Sequence, residues 1–125
     1  MRDNELTGVV VDKCIHIHKD LGPGLFESVY EEILIYELKR VGISCKQQVP
    51  IPVIWKDVKM NIGYRADLIL EDKLIVELKS IDKLAPVHYK QILTYLKLMK
   101  MRLGLLINFN EVLLKDGIRR VVNGY

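Results

Sequence analysis

The sequence predicts an α/β (α+β) fold, with helices packed on one mixed sheet, and three observations predict it. Apolar residues recur every three or four positions up to Val41. From Cys45 onward the recurrence switches to every second position. A third helix-period segment then leads into "LGLLINF", Leu103 to Phe109, an unbroken apolar run suited to a strand buried on both faces.

The first helix is expected from about Glu5 to Leu21, with Leu6, Val10, Cys14, Ile17 and Leu21 on one face, and Gly22-Pro23 stops it. A second helix runs from near Gly24 to Val41, with Phe26, Val29, Ile33, Tyr36 and Leu38 expected inward and Gly42 as its stop. Val49, Ile51 and Val53 alternate with Gln48, Pro50 and Pro52, and the prolines mark an edge strand. After a turn at Lys56-Asp57, Val58 to Tyr64 reads as a second strand. "YRADLILEDKLIVELKS", Tyr64 to Ser80, reads as two more strands folded back on each other. Pro86 suits the first turn of a helix over Ala85 to Lys100, with Val87, Ile92, Tyr95, Leu96 and Met99 inward. The tail "EVLLKDGIRRVV" reads as a hairpin around Asp116-Gly117.

One domain over residues 1–125 fits this length, and half the residues are hydrophobic, enough for a core. Residues 1–5 lack the apolar run of a signal peptide, and no apolar stretch approaches the roughly 20 residues that span a bilayer, so no membrane partner is expected. Cys14 and Cys45 match no metal-ligand spacing and read as reduced residues of a cytoplasmic protein. A net charge of +3 is compatible with a nucleic-acid partner without demanding one.

The stretch from Tyr64 to Ser80 poses the chemical question, because Asp67, Glu77 and Lys79 sit among aliphatic strand residues. A buried charge is costly unless paired, hydrogen-bonded or metal-bound. Glu77 and Lys79 share a strand face. With a three-residue loop at Glu71-Asp72-Lys73, Leu70 pairs with Leu74 and Asp67 lies opposite Glu77, Cβ atoms about 4.5–5.5 Å apart. A two-residue loop sends the two acids to opposite faces. The longer loop alone yields a wholly aliphatic face of Leu68, Leu70, Leu74, Val76 and Leu78, and is the register expected. Adjacent carboxylates repel, and a Mg²⁺ or Mn²⁺ ion between them reverses that. Such an ion can polarise a phosphodiester and activate water, with Lys79 holding the water or steadying the developing charge. The same trio also reads as an ion-paired strand end.

Asp67, then a nine-residue gap and Glu77-Leu78-Lys79, resembles the signature of the PD-(D/E)xK nuclease superfamily, with Ala66 standing where that signature has proline. "GPGLFESVYEEIL" resembles the motif that names the GxxExxY family, through Gly24, Glu27 and Tyr30. "QILTYL" is similar to the Q-x-x-x-Y element of RecB-type nucleases, through Gln91 and Tyr95, and "GLLINF" resembles the family's penultimate strand. The resemblance implies a restriction-endonuclease-like αβββαβ core with an extra N-terminal helix and a C-terminal hairpin.

It further implies that Asp67, Glu77 and Glu27 bind Mg²⁺ or Mn²⁺, with Lys79 and Gln91 completing a catalytic site. Glu27 is explained equally by the helix dipole, which favours an acid in the first turn. Tyr95, Lys90, Lys97 and Tyr30 are candidate contacts to nucleic acid, and core packing or a solvated helix face explains them as well. His16 and His18, two apart on a helix, form no chelating pair. The expected activity is metal-dependent hydrolysis of phosphodiester bonds in DNA or RNA. The rival is a non-cleaving nucleic-acid- or partner-binding module on the same fold. A chain this small covers little nucleic acid alone, so a homodimer or a larger protein partner is compatible with either.

Overall fold

The structure, a computed structural model, describes residues 1–124. The elements are α1 (Asp3–Leu21), α2 (Glu27–Arg40), β1 (Cys45–Trp55), β2 (Val58–Leu70), β3 (Leu74–Lys79), α3 (Pro86–Met99), β4 (Leu103–Asn108), a 3-10 turn (Leu114–Gly117) and β5 (Ile118–Val122). One sheet runs β1-β2-β3-β4-β5, with only the β3–β4 pair parallel. α3 makes the crossover that a parallel pair requires. From α2 to β4 the order is the expected αβββαβ, with α1 added before it.

Two apolar layers hold the sheet. On one side α1 and α2 bury Leu6, Val10, Tyr30, Leu34 and Leu38 against Leu68, Val76, Leu78 and Phe109. On the other, Ile92, Tyr95 and Leu96 of α3 cover Ile51, Ile69 and Ile75. β4 lies between them with every residue buried. Gly104 lets α3 approach, since a Cβ there would stand 2.8 Å from Ile92 Cδ1. Gly22 ends α1 at φ +73, where a side chain would be strained.

Several expectations need correction. Phe26, Val29 and Tyr36 are exposed, and α2 instead buries Tyr30, Leu34, Ile35 and Leu38. Val87 and Leu21 are exposed too. Val58–Tyr64 and the arm carrying Asp67 are one strand of 13 residues, not two. The tail forms no hairpin around Asp116-Gly117. Those residues lie in the 3-10 turn, and β5 pairs back on β4. Gly117 is there because a Cβ would meet the Asn108 carbonyl oxygen at 2.6 Å. Among the described residues, no helix is long and apolar enough to cross a membrane.

Candidate active site

β2 and β3 are joined by the three-residue loop, and the ladder pairs Leu70 with Leu74, Ile69 with Ile75 and Leu68 with Val76. It stops there. At the next position the strands are linked by side chains. The Asp67 N–H donates to Glu77 Oε2 at 2.7 Å, and the Leu78 N–H donates to Asp67 Oδ2 at 2.9 Å. Each carboxylate thus satisfies a backbone donor of the opposite strand.

The backbone is bent to allow this. Ala66 and Ile69, three apart, pack on the α3 side while Leu68 packs on the other, so the two-residue period of β2 slips at Asp67. β1 buckles beside it, where Gln48 adopts φ +50, sparsely populated for a residue with a Cβ. Gln48 Nε2 donates to Glu31 Oε1 at 2.9 Å and lies 3.3 Å from Asp67 Oδ1. Gln47 Nε2 donates to the other Glu31 oxygen at 2.6 Å.

The electrostatics are those of crowded acids. Glu77 is 4% exposed. Burial and then the Asp67 charge push its carboxyl up to about 8, while Lys79 pulls the other way. Burial raises Glu31 as well, and the Asp67 charge adds to that. The Tyr95 phenol is pushed up to about 12 by burial, then by Glu77, Asp67 and Tyr64. Tyr95 therefore stays a neutral donor beside the carboxylates. Lys79 is half-buried and, among the described residues, forms no ion pair within 4.0 Å, its charge acting on Glu77 from farther off.

The remaining expected residues are placed as follows. Gln91 is half-buried one turn before Tyr95 and makes no side-chain hydrogen bond among the described residues. Lys90 and Lys97 are exposed on α3. Glu27 accepts the Ser80 N–H at 3.0 Å, tying the start of α2 to the end of β3. It does not join the pair: among the described residues no three His, Cys, Asp or Glu side chains are gathered as a metal-holding group. Tyr30 is a core residue rather than a nucleic-acid contact. It stacks on Phe109 at 4.1 Å, donates to the Gly22 carbonyl at 2.6 Å and accepts the Leu25 N–H at 3.2 Å.

Two residues escaped the sequence reading. Glu31 is buried beside Asp67's partner Gln48, on the helix face of Leu34, Ile35 and Leu38. A charge on an apolar face was its signal, hidden by the wrong choice of face. Asn108 is buried at the end of β4 and exchanges hydrogen bonds with Ile81, 3.1 and 3.0 Å, fixing the chain just after Lys79. His88 accepts the Ala85 N–H at 2.8 Å and so caps α3.

Asp67 and Glu77 offer hard oxygen donors, and their crowding raises the cost of leaving both ionised without a cation. One or two carboxylates suffice for Mg²⁺, so the donor set fits a divalent ion. A family model described as the PD-(D/E)XK nuclease superfamily matches residues 4–121. No curated protein and no solved structure gives a significant match.

Proposed function

The chain belongs to the PD-(D/E)XK nuclease superfamily, and from that premise we propose that it is a divalent-metal-dependent phosphodiesterase acting on DNA or RNA through one domain spanning residues 1–125. The observation that carries the proposal is the crossed pair of Asp67 and Glu77 at the end of the β2–β3 ladder, with Lys79 two residues on. The superfamily generally uses divalent metals. Asp67 and Glu77 would hold Mg²⁺ or Mn²⁺, which supplies a Lewis acid and an activated water when bound.

The chain's own groups do the rest. Lys79 would donate to the attacking water or to charge developing on the phosphoryl oxygens. Tyr95, held neutral, would donate to the same phosphate, and Gln91 would orient it from one turn away. Lys90 and Lys97 would meet backbone phosphates farther along the strand, which makes binding salt-dependent. Glu27, tied to Ser80, would position Lys79 rather than bind the ion. Tyr30 closes the turn from Gly22 to Leu25, within which Gly24 takes φ +93, and Glu27 ties the start of α2 to Ser80, and these separate roles support a place in the GxxExxY branch.

The test is cleavage of single- and double-stranded DNA and RNA with Mg²⁺ or Mn²⁺, by the wild type, Asp67→Ala and Lys79→Ala. Cleavage lost in both variants supports the proposal, and cleavage surviving in both contradicts it. Metal binding without cleavage by the wild type would select the non-cleaving module.

A further inference from the structure

Past Pro52, β1 and β2 run on as a two-stranded arm, and residues 58–65 of β2 are exposed along their whole length. A lone hairpin is marginal in water and needs cover. The two faces of this arm differ. Trp55 pairs with Val58 and Ile51 pairs with Tyr64, four residues along β1, so Val58 and Tyr64 share one face, and Met60 and Ile62 lie between them at even spacing where the register with β1 slips by two residues. Val58, Met60, Ile62, Tyr64 and Trp55 are 58, 37, 79, 44 and 66% exposed, in that order, and none is charged. Lys59 and Arg65 point the other way. The apolar face grows out of the core, since Tyr64 pairs with the buried Ile51 and its ring lies 5.4 Å from that of Tyr95.

We infer that this face binds the same face of a second copy, arm against arm about a two-fold axis. The contact must be self-complementary. The five side chains are uncharged and the Lys56 ammonium lies at the arm's tip, 6.0 Å from the Trp55 ring centroid, whereas the opposite face carries both Lys59 and Arg65 along its length. Trp55 and Tyr64 carry roughly 150–250 Å² each and the three aliphatic side chains less, so at these exposures the five offer on the order of 500 Å². A standard interface buries about 800 Å² per partner, about 65% of it apolar in homodimers, again near 500 Å². Edge-to-edge pairing is disfavoured because Pro50 and Pro52 remove donors from the edge strand β1. A nucleic-acid strand lying on this face would find surfaces to stack on but only the Lys56 ammonium at the tip, not a groove of cations along its length, for its phosphates.

The inference does not depend on the phosphodiesterase reading. Trp55 is the chain's sole tryptophan, so its fluorescence reports on the face directly. The full chain should sediment at twice its 14.5 kDa mass, with blue-shifted emission protected from a soluble quencher, and both signals should revert on dilution. Ile62→Asp and Met60→Asp should each give a monomer with exposed tryptophan and a native circular dichroism spectrum. Lys59→Glu, on the opposite face, should remain a dimer. A wild type that is monomeric at every concentration, with red, fully quenched emission, overturns the inference. So does a dimer that survives a folded Ile62→Asp, or a monomer whose tryptophan is protected only when an oligonucleotide is added.

Discussion

Asp67 and Glu77 exchange support across the end of the β2–β3 ladder, each carboxylate accepting a backbone N–H from the other's strand at 2.7 and 2.9 Å. Their placement is therefore fixed by the backbone itself. The same geometry forces two acids together where water is scarce, and the behaviour of the site follows from that.

Glu77 titrates near 4.5 in an unfolded chain and near 8 in the folded one. A raised carboxyl means that the folded state holds the proton over this window. The resulting stabilisation is whole below about pH 4.5, shrinks as pH rises and is gone above about 8. In chelator, the melting temperature should fall from pH 5 to pH 8.5. Glu77→Gln should flatten that slope and be the more stable protein at the upper end, by the order of a few kcal/mol. A wild-type melting temperature that rises across this window contradicts the assignment.

Removing the lysine should separate binding from chemistry. Lys79→Met keeps the aliphatic stem and deletes the charge, so Mn²⁺ affinity should persist while cleavage falls by roughly 10²–10³-fold. Calorimetry alongside single-turnover assays measures both. A variant that loses metal and activity together would make Lys79 a structural residue.

Tyr30 carries a different expectation. Tyr30→Phe keeps the stack on Phe109 and loses the hydroxyl that joins Gly22 to Leu25. Stability should drop by about 1–3 kcal/mol in chemical denaturation, with metal affinity unchanged. Weakened nucleic-acid binding at unchanged stability would restore Tyr30 as a ligand contact.

Gly104→Ala tests the seat of α3. The new methyl would press on Ile92 at 2.8 Å, at a cost of about 1–3 kcal/mol. Ile92→Val removes the clashing carbon and should recover part of that loss in the double variant. Simple additivity of the two substitutions would mean that they do not touch.

What could be read from the sequence was decided by how many faces each segment presented. The β2–β3 register was legible because only one loop length gives a wholly aliphatic face. The phase of α2 was not, since Phe26, Val29, Tyr30, Ile33, Leu34, Ile35, Tyr36 and Leu38 surround the helix and allow several stripes. That ambiguity also hid Glu31. At Asp116-Gly117 a familiar turn pair misled, because Gly117 is needed for its closeness to Asn108 rather than for a hairpin. β2 was divided at Tyr64, although its ladder with β1 runs on through Gly63, Tyr64 and Arg65. Asp67, Glu77 and Lys79 were found because charges in aliphatic strands stand out. Glu27 was assigned to the ion by resemblance alone, and only its tie to Ser80 distinguishes the roles open to it.

The most direct measurement is calorimetric titration of the chain with Mn²⁺ at pH 6, 7 and 8, for the wild type and Asp67→Ala. Binding should release the Glu77 proton, so the apparent affinity should rise up to tenfold per pH unit below about 8. Asp67→Ala should abolish it. No binding by the folded wild type at pH 8, or equal binding by Asp67→Ala, would contradict the claim that these two carboxylates form a metal site.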